Sequence, residues 1–150
     1  MEKIKLFVLF FLLSISTLWM ACSEEEAVTI TPVSFTAQEI DGSYTIVSFI
    51  NDGNEIVSQF GSTNEIEISS NKGIFFSNTS NFGGWEFGDD TGEIDIDISK
   101  GDSPFDEFEN DWVVVKLENN ELWLYDDDFF DDDNPDSDDD NEQVKLQRQE

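Results

Sequence analysis

Carboxylates carry most of the chemistry available to this chain. Its 150 residues include 35 aspartates and glutamates against seven lysines and arginines, with no histidine and one cysteine, Cys22. Without histidine, Ser-His-Asp and Cys-His nucleophile arrangements are impossible, as are zinc sites built on histidine. Two uses of carboxylates remain: general acid–base work, as in glycoside hydrolysis, and binding of a hard cation. For the first, no pair stands out by spacing among so many, and a non-enzymatic role is expected. For the second, the densest stretch is DDDFFDDDNPDSDDDNE (126–142), with 11 acidic residues among 17. Asp132, Asn134, Asp136 and Asp138 alternate within it, and oxygen ligands so spaced suit Ca²⁺, which takes about 6 to 8 of them. The competing reading is a solvated acidic loop that condenses cations diffusely, as like-charge runs usually do.

Aromatic side chains form the second resource, at 13% of the chain. Trp123 and Tyr125 alternate with Leu122 and Leu124, and Trp112 precedes Val113. If the aliphatic residues face a core, then Trp112, Trp123 and Tyr125 face outward, as a strip able to stack on sugar rings or dock a partner. A covering segment, such as residues 30–40, would bury the same rings. Phe129 and Phe130 sit inside the acidic stretch. They either fold back over a mouth of the fold or pack on a strand edge.

The elements that would position these residues are strands. SYTIVSFIN (43–51) is rich in β-branched and aromatic residues after an Asp41-Gly42 turn signal. EIEIS (65–69) and GEIDIDIS (92–99) alternate strictly, and a period of two marks a half-buried antiparallel strand. GIFFSN (73–78) and FGGWEFG (82–88) continue the series, and PFDEFEND suggests one helical turn. DWVVVKLE (111–118) and ELWLYD (121–126) form a hairpin across Asn119-Asn120, and EQVKLQR (142–148) closes the pattern. Alternation assigns Ile66, Ile68, Phe76, Trp85, Phe87, Ile94, Ile96, Ile98, Val113, Val115, Leu117, Leu122, Leu124, Val144 and Leu146 to the interior. About eight short strands without a convincing helix imply an all-β fold, either an antiparallel up-and-down eight-stranded barrel or a β-sandwich.

The N-terminus reads as a signal. Lys3 and Lys5 precede a 16-residue apolar run from Leu6 to Ala21, too short for the roughly 20 residues of a spanning helix. Ala21-Cys22 resembles the lipobox of bacterial lipoproteins, in which a lipidated cysteine becomes the first residue after cleavage. Trp19 stands where that family usually has leucine. Ser23-Glu24-Glu25-Glu26 resembles the acidic signal that sends lipoproteins of Bacteroidetes-type bacteria to the cell surface. These likenesses imply a signal peptide over 1–21, a lipidated tether over 22–39 and an outer-membrane anchor facing the cell exterior. Once Lys3, Lys5 and Glu2 leave with the signal, five basic side chains face 34 acidic ones. Charge that lopsided excludes nucleic acid as a partner.

The domain itself, residues 40–148 with its acidic loop 126–142, resembles the small lipocalin-like lipoproteins of the same bacteria. The likeness rests on Gly42-Ser43-Tyr44, Asp111-Trp112-Val113-Val114 and Leu122-Trp123-Leu124. It implies a calycin-type barrel whose mouth accepts a small apolar ligand. DNPDSDD (133–139) looks like the calcium loops of thrombospondin type 3 repeats. It departs from an EF-hand loop, with Ser137 at the turn-glycine position and Gln143 where the twelfth-position glutamate belongs. Two expectations follow: a barrel binding a small apolar ligand, or a surface interaction protein whose acidic loop binds calcium or a basic partner.

Overall fold

The structure, a computed structural model, describes residues 30–130 and 142–150. One short helix, α1 (Ala37–Ile40), precedes nine strands: β1 (Gly42–Asn51), β2 (Asn54–Glu55), β3 (Glu65–Ile68), β4 (Gly73–Phe76), β5 (Phe82–Phe87), β6 (Glu93–Lys100), β7 (Asn110–Glu118), β8 (Glu121–Asp126) and β9 (Gln143–Arg148). From β3 to β9 each strand pairs antiparallel with the next, β3 pairs with β1, and β1 also pairs with β9. That last ladder, with Ile46 opposite Leu146 and Phe49 opposite Val144, closes the sheet into an eight-stranded up-and-down barrel. β2 is an extra two-residue strand on the end of β1. Closure removes the free sheet edges that a sandwich would retain.

Alternation places Ile66, Ile68, Ile74, Phe76, Ile94, Ile96, Ile98, Leu122, Leu124, Val144 and Leu146 in the core. Bulges in β1 and β7 break the alternation there, and the β5–β6 ladder also shifts register between Phe82 and Gly84. In β1, Ile46 pairs with Leu146 and Ser48 with Lys145, leaving Val47 as the extra residue, 53% exposed. The bulge lets both Ile46 and Phe49 point inward although they are three apart. In β7, Val114 pairs with Leu124 and Lys116 with Trp123, so Val115 is the extra residue. Ahead of that bulge the inward positions are Trp112 and Val114; beyond it Leu117 packs against the core. The inward assignment of Val113 and Val115 is therefore corrected. Val113 is buried outside the core, and Val115 lies at the outer surface.

Trp112 is corrected with them. It is 0% exposed and its indole Nε1–H donates to the Phe108 carbonyl at 3.0 Å, so it cannot belong to an outward strip. Phe87 is the opposite case. Read as inward, it is 47% exposed at the rim of the barrel. Nearby, Gly83 is required by close approach, because a Cβ there would lie 2.3 Å from the Asp97 carbonyl oxygen.

Both mouths are covered. At one, α1 brings Ile40 into the core, and the Tyr44 hydroxyl donates to the Ile40 carbonyl at 2.8 Å. Arg148 donates in turn to the Tyr44 oxygen at 2.7 Å and to the Glu39 carbonyl. At the other, 3₁₀ turns at Val57–Phe60 and Asp106–Phe108 carry Phe60 and Phe108 over the opening. There Phe49 meets Phe108 edge-on at 4.9 Å between centroids, and Phe105 meets Phe76 at 5.0 Å and Phe60 at 5.3 Å. Edge-to-face pairs at these distances add about 0.5–1.5 kcal/mol each beyond the area they bury. Residues 33–37, read from the sequence as part of a tether, also pack on the barrel. Val33 N–H donates to the Val114 carbonyl at 2.7 Å, and Phe35 meets Phe87 at 5.3 Å.

This register predicts unequal costs for two tryptophans. Trp112→Ala should destabilise the barrel by about 3–5 kcal/mol, as deletion of a buried ring does. Trp123→Ala, on the outer face, should cost only about 1 kcal/mol. Urea unfolding measures both, and equal losses would contradict the β7 register.

Candidate functional site

Core side chains occupy the barrel axis, so the chemistry accessible to a partner lies on the outside. Two cross-strand rows of unlike character mark that outer surface. The first crosses β7, β8 and β9. Lys116 is opposite Trp123, and Trp123 is opposite Lys145, so one ring lies between two ammonium groups. Their Nζ atoms stand 4.3 and 4.6 Å from the ring centroid, within cation–π range. Lys116 also pairs with Glu121. Tyr125 follows on the same face and meets Phe129 at 5.5 Å, and Phe129 meets Phe130 at 5.3 Å. Of the strip read from the sequence as Trp112, Trp123 and Tyr125, Trp123 and Tyr125 lie on this face and Trp112 does not; Phe129 and Phe130 pack beside Tyr125. Phe129 is 45% exposed and, with Phe130, lies beside β8 in the turn Asp127–Phe130. Neither covers a barrel mouth.

The second row crosses β5, β6 and β7. Glu86 is opposite Asp95, and Asp95 is opposite Asp111. Like charges directly across a ladder repel. Burial, then Asp111, Glu93 and Glu86, hold the Asp95 carboxyl above the ordinary carboxylate range. Its Oδ1 is enclosed without a hydrogen-bond partner. These residues line a groove of about 510 Å³ together with Asp97, Glu109 and Lys72. Lys72 places its ammonium 3.8 Å from the ring centroids of both Trp85 and Phe87. The groove thus combines a row of carboxylates with one lysine, whose ammonium sits on the Trp85 and Phe87 rings. Toward its outer end, carboxylate oxygens of Glu93, Asp111 and Asp127 come within 4.8 Å of one another. That trio is the kind of oxygen cluster a hard cation takes, but exposed acidic groups this close are common without one.

The ends of the acidic loop meet at a third feature. Asn110 Nδ2 donates to Asp126 Oδ2 at 2.9 Å and to Glu142 Oε2 at 3.2 Å, and the Asp126 N–H donates to the Glu142 carbonyl at 3.1 Å. Burial, reinforced by Asp126, raises the Glu142 carboxyl to about 7, against the opposing hydrogen bond from Asn110. Asp52 and Glu107 add to the repulsion from neighbouring elements.

Cys22 and the calcium-loop residues Asp132, Asn134, Asp136 and Asp138 lie outside the described residues. The sequence pattern did not single out the row Glu86–Asp95–Asp111, Lys72 on its two rings, or the Asn110 bridge. Strict alternation in GEIDIDIS was the signal that Asp95 and Asp97 face outward. Which carboxylates stand opposite them depends on register, which alternation alone leaves open. Comparison of the chain with protein-family models, with curated proteins and with solved structures gives no match in any of the three.

The Glu142 environment has a testable consequence. Between 4.5 and about 7 the folded chain holds a proton that the unfolded chain has released, so this group's contribution to stability falls as pH rises through that window. Glu142→Gln removes the titration. The variant should be more stable than the parent at about pH 8, with the gap shrinking toward about pH 4.5. Urea midpoints at both pH values test this, and a pH-independent difference would contradict it.

Proposed function

We propose that this chain is a lipid-anchored, cell-surface lipoprotein whose barrel binds a cationic partner on its outer face and is not an enzyme. The observation that carries the reading is the packing of the barrel. Its axis is occupied by Ile, Leu, Val and aromatic side chains, and α1 and the phenylalanine cluster lie across its two mouths. An eight-stranded barrel has room for little more than its own side chains. A small apolar ligand is therefore the less favoured reading, and recognition falls to the outside.

The acidic row supports a cationic partner on physical grounds. Glu86, Asp95 and Asp111 repel one another across the sheet, and that repulsion weakens the free protein. A basic peptide segment laid in the groove would offset it, and the oxygen of Asp95 would gain a donor. Lys72 supplies the pattern for such contact, an ammonium seated on Trp85 and Phe87 beside carboxylates. The surface anchor rests on Cys22 after Ala21 and on the acidic Ser23-Glu24-Glu25-Glu26.

Two measurements test the parts separately. The mature protein extracted from membranes should carry acyl chains on an N-terminal Cys22, and Cys22→Ser should move it to the soluble fraction. An unmodified, soluble parent chain would contradict the anchor. Asp95→Asn with Asp111→Asn should weaken binding of a lysine-rich peptide several-fold while raising the urea midpoint. Unchanged peptide binding would contradict the groove.

A further inference from the structure

The position of the tether relative to the Lys116–Trp123–Lys145 row points to a membrane-facing side of the barrel. Ile30, where the described chain begins, lines an outer groove of about 450 Å³ with Thr31, Val115, Lys116, Glu118, Trp123 and Tyr125. Cys22 is eight positions earlier, a contour of no more than about 29 Å even when fully extended. Acyl chains on Cys22 would therefore hold this side of the barrel close to the bilayer surface.

Charge is less adverse on this side of the barrel than along the acidic row. The whole chain carries −28, and phosphate-bearing headgroups repel most of such a surface. Around Trp123, however, stand Lys116 and Lys145, two of the five basic residues left after signal removal. The Lys116–Glu121 pair is internally neutral, and Lys145 interacts with Glu55 as well as with the Trp123 ring. The acidic row lies on β5, β6 and β7, around the barrel from β8 and β9. Trp and Tyr rings, apolar in body and polar at one edge, settle at the headgroup level of bilayers, and lysine stems reach along apolar surface to bring their ammonium to phosphate.

We infer that the outer face of β7, β8 and β9, centred on Trp123 and Tyr125 with Lys116 and Lys145, docks on the phospholipid headgroup layer and turns the acidic groove toward the exterior. The inference rests on the reading of Cys22 as the lipid anchor. In this orientation the tether and the docking face act as two membrane contacts, and the groove stays open to a partner in solution.

Tryptophan fluorescence tests the docking directly. Trp19 leaves with the signal, and Trp85 and Trp112 are buried, so Trp123 alone is placed to meet lipid. The acylated mature protein is reconstituted in phosphatidylcholine vesicles with a minority of phosphatidylglycerol and a lipid spin-labelled near the headgroup. Fluorescence should be quenched, and Trp123→Phe should abolish the quenching. Lys116→Glu with Lys145→Glu should reduce it several-fold, while each variant still floats with the vesicles and unfolds cooperatively. A floating protein whose tryptophans stay unquenched overturns the docking face and leaves the anchor intact. A protein whose N-terminal mass shows no acyl chain overturns the anchor and the docking with it. A patch that instead binds a soluble sugar or protein would show that same floating, unquenched behaviour.

Discussion

The ladder between β1 and β9 is the constraint on which the rest of this molecule depends. It joins the first long strand to the last, bringing Ile46 against Leu146 and Phe49 against Val144 across nearly the whole domain. Once closed, eight strands leave an interior that must be filled at the density of a solid, because any void forfeits dispersion contacts. The chain meets that demand with two kinds of material. Branched aliphatic residues fill the middle from β3, β6, β8 and β9, and aromatic residues fill the ends. The end caps are not strand residues at all: Ile40 comes from α1, and Phe60, Phe105 and Phe108 come from the 3₁₀ turns or the residues beside them.

With the inside committed to packing, the outside is free to vary, and it has become strongly polarised. Glu86, Asp95 and Asp111 stand in one row, and Lys116, Trp123 and Lys145 in another. Neither arrangement is what folding alone would select. A carboxylate row repels itself, and a partly exposed tryptophan leaves apolar surface in water. β7 contributes to both rows, Asp111 to one and Lys116 to the other. The Val115 bulge lies between them, so the strand changes phase where the surface changes character.

Much of this architecture was legible in the sequence, for a physical reason. Where one face of a strand is buried and the other wet, a period of two is enforced residue by residue, as in EIEI and EIDIDIS, and those strands are found where alternation put them. Reading failed where the backbone carries an extra residue. WVVVK holds three β-branched residues in a row, and nothing in its composition separates Val115 from the valine that points inward. Trp112 was misplaced for that reason, and Val113 with it. Phe87 was misplaced by a different cause, since alternation assigns a side but not the depth along the barrel at which the wall ends. Trp123 and Tyr125 lie on the outer face that alternation assigned them, because β8 has no bulge in its pairing with β9. The carboxylate row and the Asn110 bridge join residues far apart in sequence, and only register brings them together.

The central claim is that the barrel interior is solid and recognition takes place outside it. The most direct test is titration of the mature protein with an environment-sensitive apolar dye such as an anthracene-labelled fatty acid. The account predicts no saturable, stoichiometric rise in dye fluorescence, and no change when Phe60 or Phe108 is left intact and unlabelled fatty acid is added. Saturable one-to-one binding that unlabelled fatty acid displaces would show an interior able to open, and would contradict the account.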